Sequence, residues 1–185
     1  MNPILERKKS VIQLLKDIEG YPAISVFKQD MMAFAYVVVC GAIEFMTETI
    51  IQDWLNKTIK HHKGLSYRGR KYVQYFLDTQ SRAREKNIEN FHSTDLDKIR
   101  ELIKNIVGET ARDKFNQLFQ NTQQTLTLQP DINERLKRIT RIRHELAHGQ
   151  KMPNDLQPNI PELKEDFLFI YEHIIKNIKK CLPRV

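Results

Sequence analysis

Apolar residues recur at helical spacing along most of this chain. From Pro3 to Ile18, the residues Ile4, Leu5, Val11, Ile12, Leu14, Leu15 and Ile18 fall three or four positions apart, and Gly20 with Pro22 closes the stretch. A long second helix is predicted from about Ser25 to Lys60. It is apolar almost all round through Val37, Val38, Val39 and Ile43, then one-sided through Phe45, Ile50, Ile51, Trp54 and Leu55. A helix apolar on every side has to be covered on every side, so part of the cover is expected from a second copy of the chain. His61-His62-Lys63-Gly64 reads as a break, and Arg70 to Arg84 as a shorter helix. Thr94 or Asp95 can cap a helix through Val107, and another follows from Glu109 to about Phe119. Gln120 to Gln129 is polar and without period, which predicts a loop. Asp131 with Glu134 resembles a capping box, opening a helix that runs to His148 with Gly149 as its stop. After a proline-bearing loop, Pro161 opens a last helix carrying Leu163, Phe167, Ile170, Ile174, Ile175 and Ile178. No segment reads as a strand.

Composition agrees with that pattern. Six glycines and seven prolines among 185 residues are too few to punctuate an all-β fold, and the length suits one domain with a full core. The expectation is a single all-α domain over residues 1–185, a bundle of about five to seven helices around the long apolar one. Met31 to Ile43, the longest apolar run at thirteen residues, falls short of the roughly 18–20 that span a bilayer. The opening MNPILERKKSV lacks the layout of a secretion signal, so a cytoplasmic location without membrane partners is expected. The two cysteines, Cys40 and Cys181, read as packing residues rather than a disulfide. A net charge of +7, from 30 basic against 23 acidic residues, attracts polyanions.

Chemistry concentrates in Arg143-His144-Glu145-Leu146-Ala147-His148-Gly149. On a helix, where residues turn by about 100°, Ile132, Leu136, Ile139, Ile142 and Leu146 gather into one stripe, and Arg143 falls inside it. A guanidinium there loses water and needs a carboxylate, an interface or a phosphate in compensation. His144 and His148 share a more polar face, with Arg135, Arg138 and Arg141 nearby. Three readings stay open. In the first, Arg143 pairs with a buried acid such as Glu44 and the histidines simply end a helix. In the second, His144-Glu145-x-x-His148 is a zinc-peptidase signature, with Glu165 or Glu172 completing the ligands. Against this stand the surrounding cations, the absence of a predicted sheet and the lack of the extended motif, since Pro153 and Asn154 lie where a further glycine and histidine would fall.

The third reading is a resemblance. RHELAHG, at the end of a basic helix in a small all-helical chain, resembles the R-x4-H motif of the HEPN ribonucleases, with the frequent AHG ending. Position 144 departs from the pattern, being His where Asn is commoner. GAIEFM around Glu44 is similar to an early helix of the family. The resemblance implies a helical bundle that dimerises and cleaves RNA without metal or other cofactor. It implies His148 as general base on the ribose 2′-hydroxyl, Arg143 as the fork that holds the phosphorane, His144 as a substrate-orienting group or acid, and Glu44 as a tether for Arg143. On one regular helix Arg143 and His148 diverge by about 140°, which suits a site shared by two copies. RNA contacts are expected from Arg138 and Arg141, and from Arg70, Lys71 and Tyr72 in the stretch Lys57 to Phe76, where cations interleave with tyrosines. The family setting implies a toxin or antiviral defence protein, with an antitoxin protein as partner. A catalytically silent HEPN module that binds nucleotides, nucleic acid or protein has the same signature.

Overall fold

The computed structural model describes residues 2–22, 26–62, 88, 94–125, 131–147 and 159–184, all in helices or their immediate flanks, with no strand among them. The predicted helix over Arg70 to Arg84 lies outside these residues. Helix α1 spans Pro3–Gly20, where the Asn2 side chain accepts from the Ile4 and Leu5 amides and Pro3 occupies the first turn. Helix α2 runs over Val26–His62, through the first half of the predicted break. Asp95 caps α3 (Leu96–Ile106), accepting from the amides of Asp97 and Lys98. Helix α4 spans Glu109–Thr125, α5 Ile132–Ala147 and α6 Ile160–Ile170, capped by Asn159. One wide π turn, Tyr171–Ile175, joins α6 to α7 (Lys176–Cys181).

Two departures from the sequence pattern have physical causes. The predicted loop at Gln120 is helix as far as Thr125, because glutamine is a sound helix former and the segment docks through a polar contact, Asn177 Nδ2 donating to Thr122 Oγ1 at 3.5 Å. The last helix is interrupted by the π turn, which keeps Ile170, Ile174, Ile175 and Ile178 all buried. Between α3 and α4 the chain reverses at Gly108, whose φ of +119° disfavours any side chain. There the Gly108 amide reaches back to the Ile103 carbonyl at 3.2 Å.

Helix α2 is the axis of the bundle. It contacts α1, α3, α5, α6, the π turn and α7, and Ala35, Val39, Cys40, Ile43, Met46, Ile51 and Leu55 are buried along it. One core cluster draws on every helix, from Val11 and Leu15 through Phe115 and Ile139 to Phe167 and Ile178. By length and composition alone Asp30–Thr58 is apolar enough to cross a bilayer, a longer stretch than the uninterrupted run suggests; 56% of an eighteen-residue apolar window within it is buried against neighbouring helices. Cover is incomplete on one side. Phe27, Phe34 and Val37 are exposed, and beside them Gly41 has open space above its Cα. Helical spacing puts Phe27, Phe34, Val37 and Gly41 on one strip, with Glu44 at its edge.

Candidate functional site

Helix α5 carries the RHELAHG segment as far as Ala147; His148 and Gly149 lie outside the described residues, as do Arg70, Lys71 and Tyr72. Asp131 receives the Asn133 amide on its side chain at 3.0 Å, which starts the helix where the sequence places it. Ile132, Leu136 and Ile139 are buried against α2 and α6, while Ile142 and Leu146 are only partly covered. The helix therefore rises out of the core toward its C-terminal end, and Arg143 stands where it emerges.

Arg143 Nη1 donates to Glu44 Oε1 at 3.0 Å, joining α5 to α2 across ninety-nine positions of sequence. The arginine side chain keeps 33% of its exposure and the glutamate only 13%. The pair thus has a buried acid end and a cationic end open to the outside, adjoining the uncovered strip of α2. Beneath it Cys40 is fully buried. Burial pushes its thiol up to about 12, against the pull of the Arg143 charge and a hydrogen bond with Thr94. Burial lifts Cys181 to about 12 as well, and both cysteines are free. Neither is a nucleophile at cellular pH.

The other arginines of α5 divide sharply. Arg135, grouped with the surface charges by its sequence neighbours, is buried. Its Nη1 donates to Asp166 at 3.0 Å and to Glu165 at 3.2 Å, and its guanidinium lies 4.4 Å from the centre of the Phe169 ring. Arg138, expected among the RNA contacts, places Nε and Nη2 on Asp166 Oδ2 at 3.1 and 2.6 Å and Nη1 on Glu162 at 2.6 Å. Its fork is committed to anchoring α5 on α6. Asp166 is itself buried; desolvation raises its carboxyl while the bond from Arg138 and the two positive charges pull it back. The signs of this group in the sequence are that Arg135 sits on the apolar stripe of α5, three after Ile132 and four before Ile139, and that Asp166 sits on that of α6, three after Leu163 and four before Ile170.

Arg141 and His144 remain exposed on the far side of α5. With Lys137 and Thr140 they line a cleft of about 260 Å³ that opens toward Thr94 and Asp95 at the start of α3. The sequence points to Arg141 and His144 but not to this cleft, whose second wall comes from a helix forty residues earlier. The two acids considered as zinc ligands lie in ion pairs, Glu165 with Arg135 and Glu172 with Lys176 and Lys8. Among the described residues no three His, Cys, Asp or Glu side chains gather as a metal site would require.

A family model described as RiboL-PSP-HEPN matches residues 2–183. Comparison with curated proteins and with solved structures gave no match.

Proposed function

Since the chain belongs to the RiboL-PSP-HEPN family, we propose that this HEPN-domain protein is an endoribonuclease, working in the cytoplasm as a homodimer whose active site is shared between two copies. His148 takes the proton of a ribose 2′-hydroxyl, a role suited to imidazole because it titrates near cellular pH. The freed oxygen attacks the adjacent phosphorus, the bond to the 5′ oxygen breaks, and that oxygen leaves with a proton given by His144. The products are a 2′,3′-cyclic phosphate and a 5′-hydroxyl. Arg143 holds the extra negative charge of the phosphorane through its planar fork, which does the electrostatic work assigned to metal in other nucleases. Glu44 is the positioning residue that aims that fork. No cofactor takes part. Arg141, with Arg70, Lys71 and Tyr72, guides the RNA, and the toxin or defence setting, with an antitoxin as partner, follows by analogy with the family.

The observation that carries this reading is the Glu44–Arg143 pair, held at 3.0 Å with its cationic end still open beside the uncovered strip of α2. A second copy seated on Phe34, Val37 and Gly41 would bring a second α5 near that end. The same pair also favours a second reading. Arg143 is already neutralised by Glu44, so a phosphate must compete for it, and a silent module that binds RNA or protein would tolerate this more readily than an enzyme.

The two readings separate on purified protein. The enzyme degrades RNA in EDTA and leaves cyclic phosphate ends; Arg143→Ala or His148→Ala lowers the rate at least about 100-fold, and Arg143→Lys does not restore it because a point charge lacks the fork. Val37→Glu abolishes activity by separating the copies. RNA retention without turnover in the unaltered protein identifies the silent module.

A further inference from the structure

We propose that the cleft between α5 and the start of α3 seats a single nucleotide of the RNA chain, flanking the bond that is cut. This deepens the ribonuclease reading and rests on it for the identity of the ligand as RNA. The cleft's physical character is independent of that reading. Its floor is apolar and hydroxylic: Leu96 and Leu136 are buried, and between them the Thr94 and Thr140 hydroxyls lie 2.7 Å apart. Its rim carries the cations Lys137 and Arg141, with the imidazole of His144 beside them. An apolar floor suits the flat face of a base; the two hydroxyls are engaged with each other and with the Leu136 carbonyl, so polar contacts fall to the rim, which supplies what a phosphate requires.

The distribution of charge along α5 marks this rim as a binding surface. Arg135 and Arg138 are neutralised by Asp166 and its neighbours, and Arg143 by Glu44. Lys137 and Arg141, four residues apart on one face, are both exposed and have no carboxylate partner among the described residues. Like charges so placed repel each other by a few tenths of a kcal/mol, and the helix keeps them while pairing its other three arginines. Asp95, on the opposite wall, accepts from two amides of α3 and sets a carboxylate at that edge of the cleft, so a phosphate is held on the α5 side, by Lys137 and Arg141. At about 260 Å³ the space is smaller than most pockets for larger ligands, and suits one nucleotide rather than a duplex. Arg143 lies about 100° round the helix from His144, so a strand crossing His144 joins the cleft to the proposed phosphorane site.

The test uses the full chain carrying His148→Ala, so that RNA stays intact, and follows the fluorescence anisotropy of a labelled single-stranded RNA of about ten nucleotides against salt. Lys137→Ala with Arg141→Ala is expected to weaken binding at least 10-fold at low salt. It also makes the slope of log affinity against log salt shallower by about 1.4, two contacts at about 0.7 each. Lys179→Ala with Lys180→Ala, on α7, is the control for general surface charge. Free uridine or adenosine monophosphate should bind more weakly than the oligonucleotide and lose that binding in the same variant; a mononucleotide that binds as tightly as the RNA overturns the assignment to an RNA chain. Both altered side chains are exposed, and unchanged melting curves verify the fold. Equal losses in the control pair, or an unchanged slope in the cleft pair, overturn the proposal. An unaltered protein that cleaves RNA while the slope is unchanged sinks the cleft and spares the ribonuclease. The predicted slope change without any cleavage does the reverse.

Discussion

At the scale of single residues, α5 sorts its cations by what each one faces. The Glu44–Arg143 pair was legible in advance, because an arginine interrupting an apolar stripe demands an acid and Glu44 is the acid that ends the longest apolar run. The Arg135–Asp166–Arg138 group escapes a reading that places Arg135 with its exposed neighbours, although at about 100° per residue it falls inside the same apolar stripe as Arg143 and so demands an acid in the same way. That group predicts a large effect. Asp166→Ala leaves the Arg135 guanidinium, whose side chain is 5% exposed, buried beside Phe169 without its main counter-charge. A loss of about 3–5 kcal/mol is expected, which thermal denaturation should register as a fall in Tm of roughly 10 °C or more. A fall of only 1 or 2 °C would mean that Glu165 and Glu162 suffice. Arg143→Ala leaves Glu44, whose side chain is only 13% exposed, without that partner; water can reach it from the open side of the pair, so a smaller fall than for Asp166→Ala is expected.

At the scale of elements, apolar periodicity located the described helices well but their limits less so. It failed at Gln120 to Thr125, where a helix continues without an apolar repeat and Thr122 bonds to Asn177 of α7, and it gave no sign of the π turn at Tyr171–Ile175. That turn has a consequence for pH. It sets the His173 ring 4.4 Å from Phe169, and burial, aided by the charges of Lys180, Arg135 and Lys176 and opposed by Glu172, holds the imidazole below its ordinary range. With the folded-state value depressed, the unfolded chain binds the proton first as acid is added. Stability is therefore complete above about pH 6.5 and declines as the pH falls below it, levelling once the folded form also protonates. His173→Phe should flatten that part of the curve in urea titrations between pH 7 and 5. An unchanged slope would assign the decline to other groups.

At the scale of the whole molecule, one long helix supplies both the core and a partly uncovered flank, and α5 leaves the core beside that flank with the cationic end of Arg143 open to the outside. The all-α architecture was readable from pattern and composition because helical period persists through nearly every apolar segment. The cleft at α3 was not, because it depends on the start of one helix meeting the flank of another distant in sequence. A shared active site makes a demand that no arrangement within one chain can meet. Arg143→Ala and His148→Ala proteins, each inert alone, should regain activity when unfolded together and refolded as a mixture. Half the dimers then pair one of each, and each such dimer holds one intact site of two, so about a quarter of the unaltered activity should return. Recovery near that level in EDTA is the predicted result; a mixture as inert as its components, although mixed dimers are present, would contradict the account.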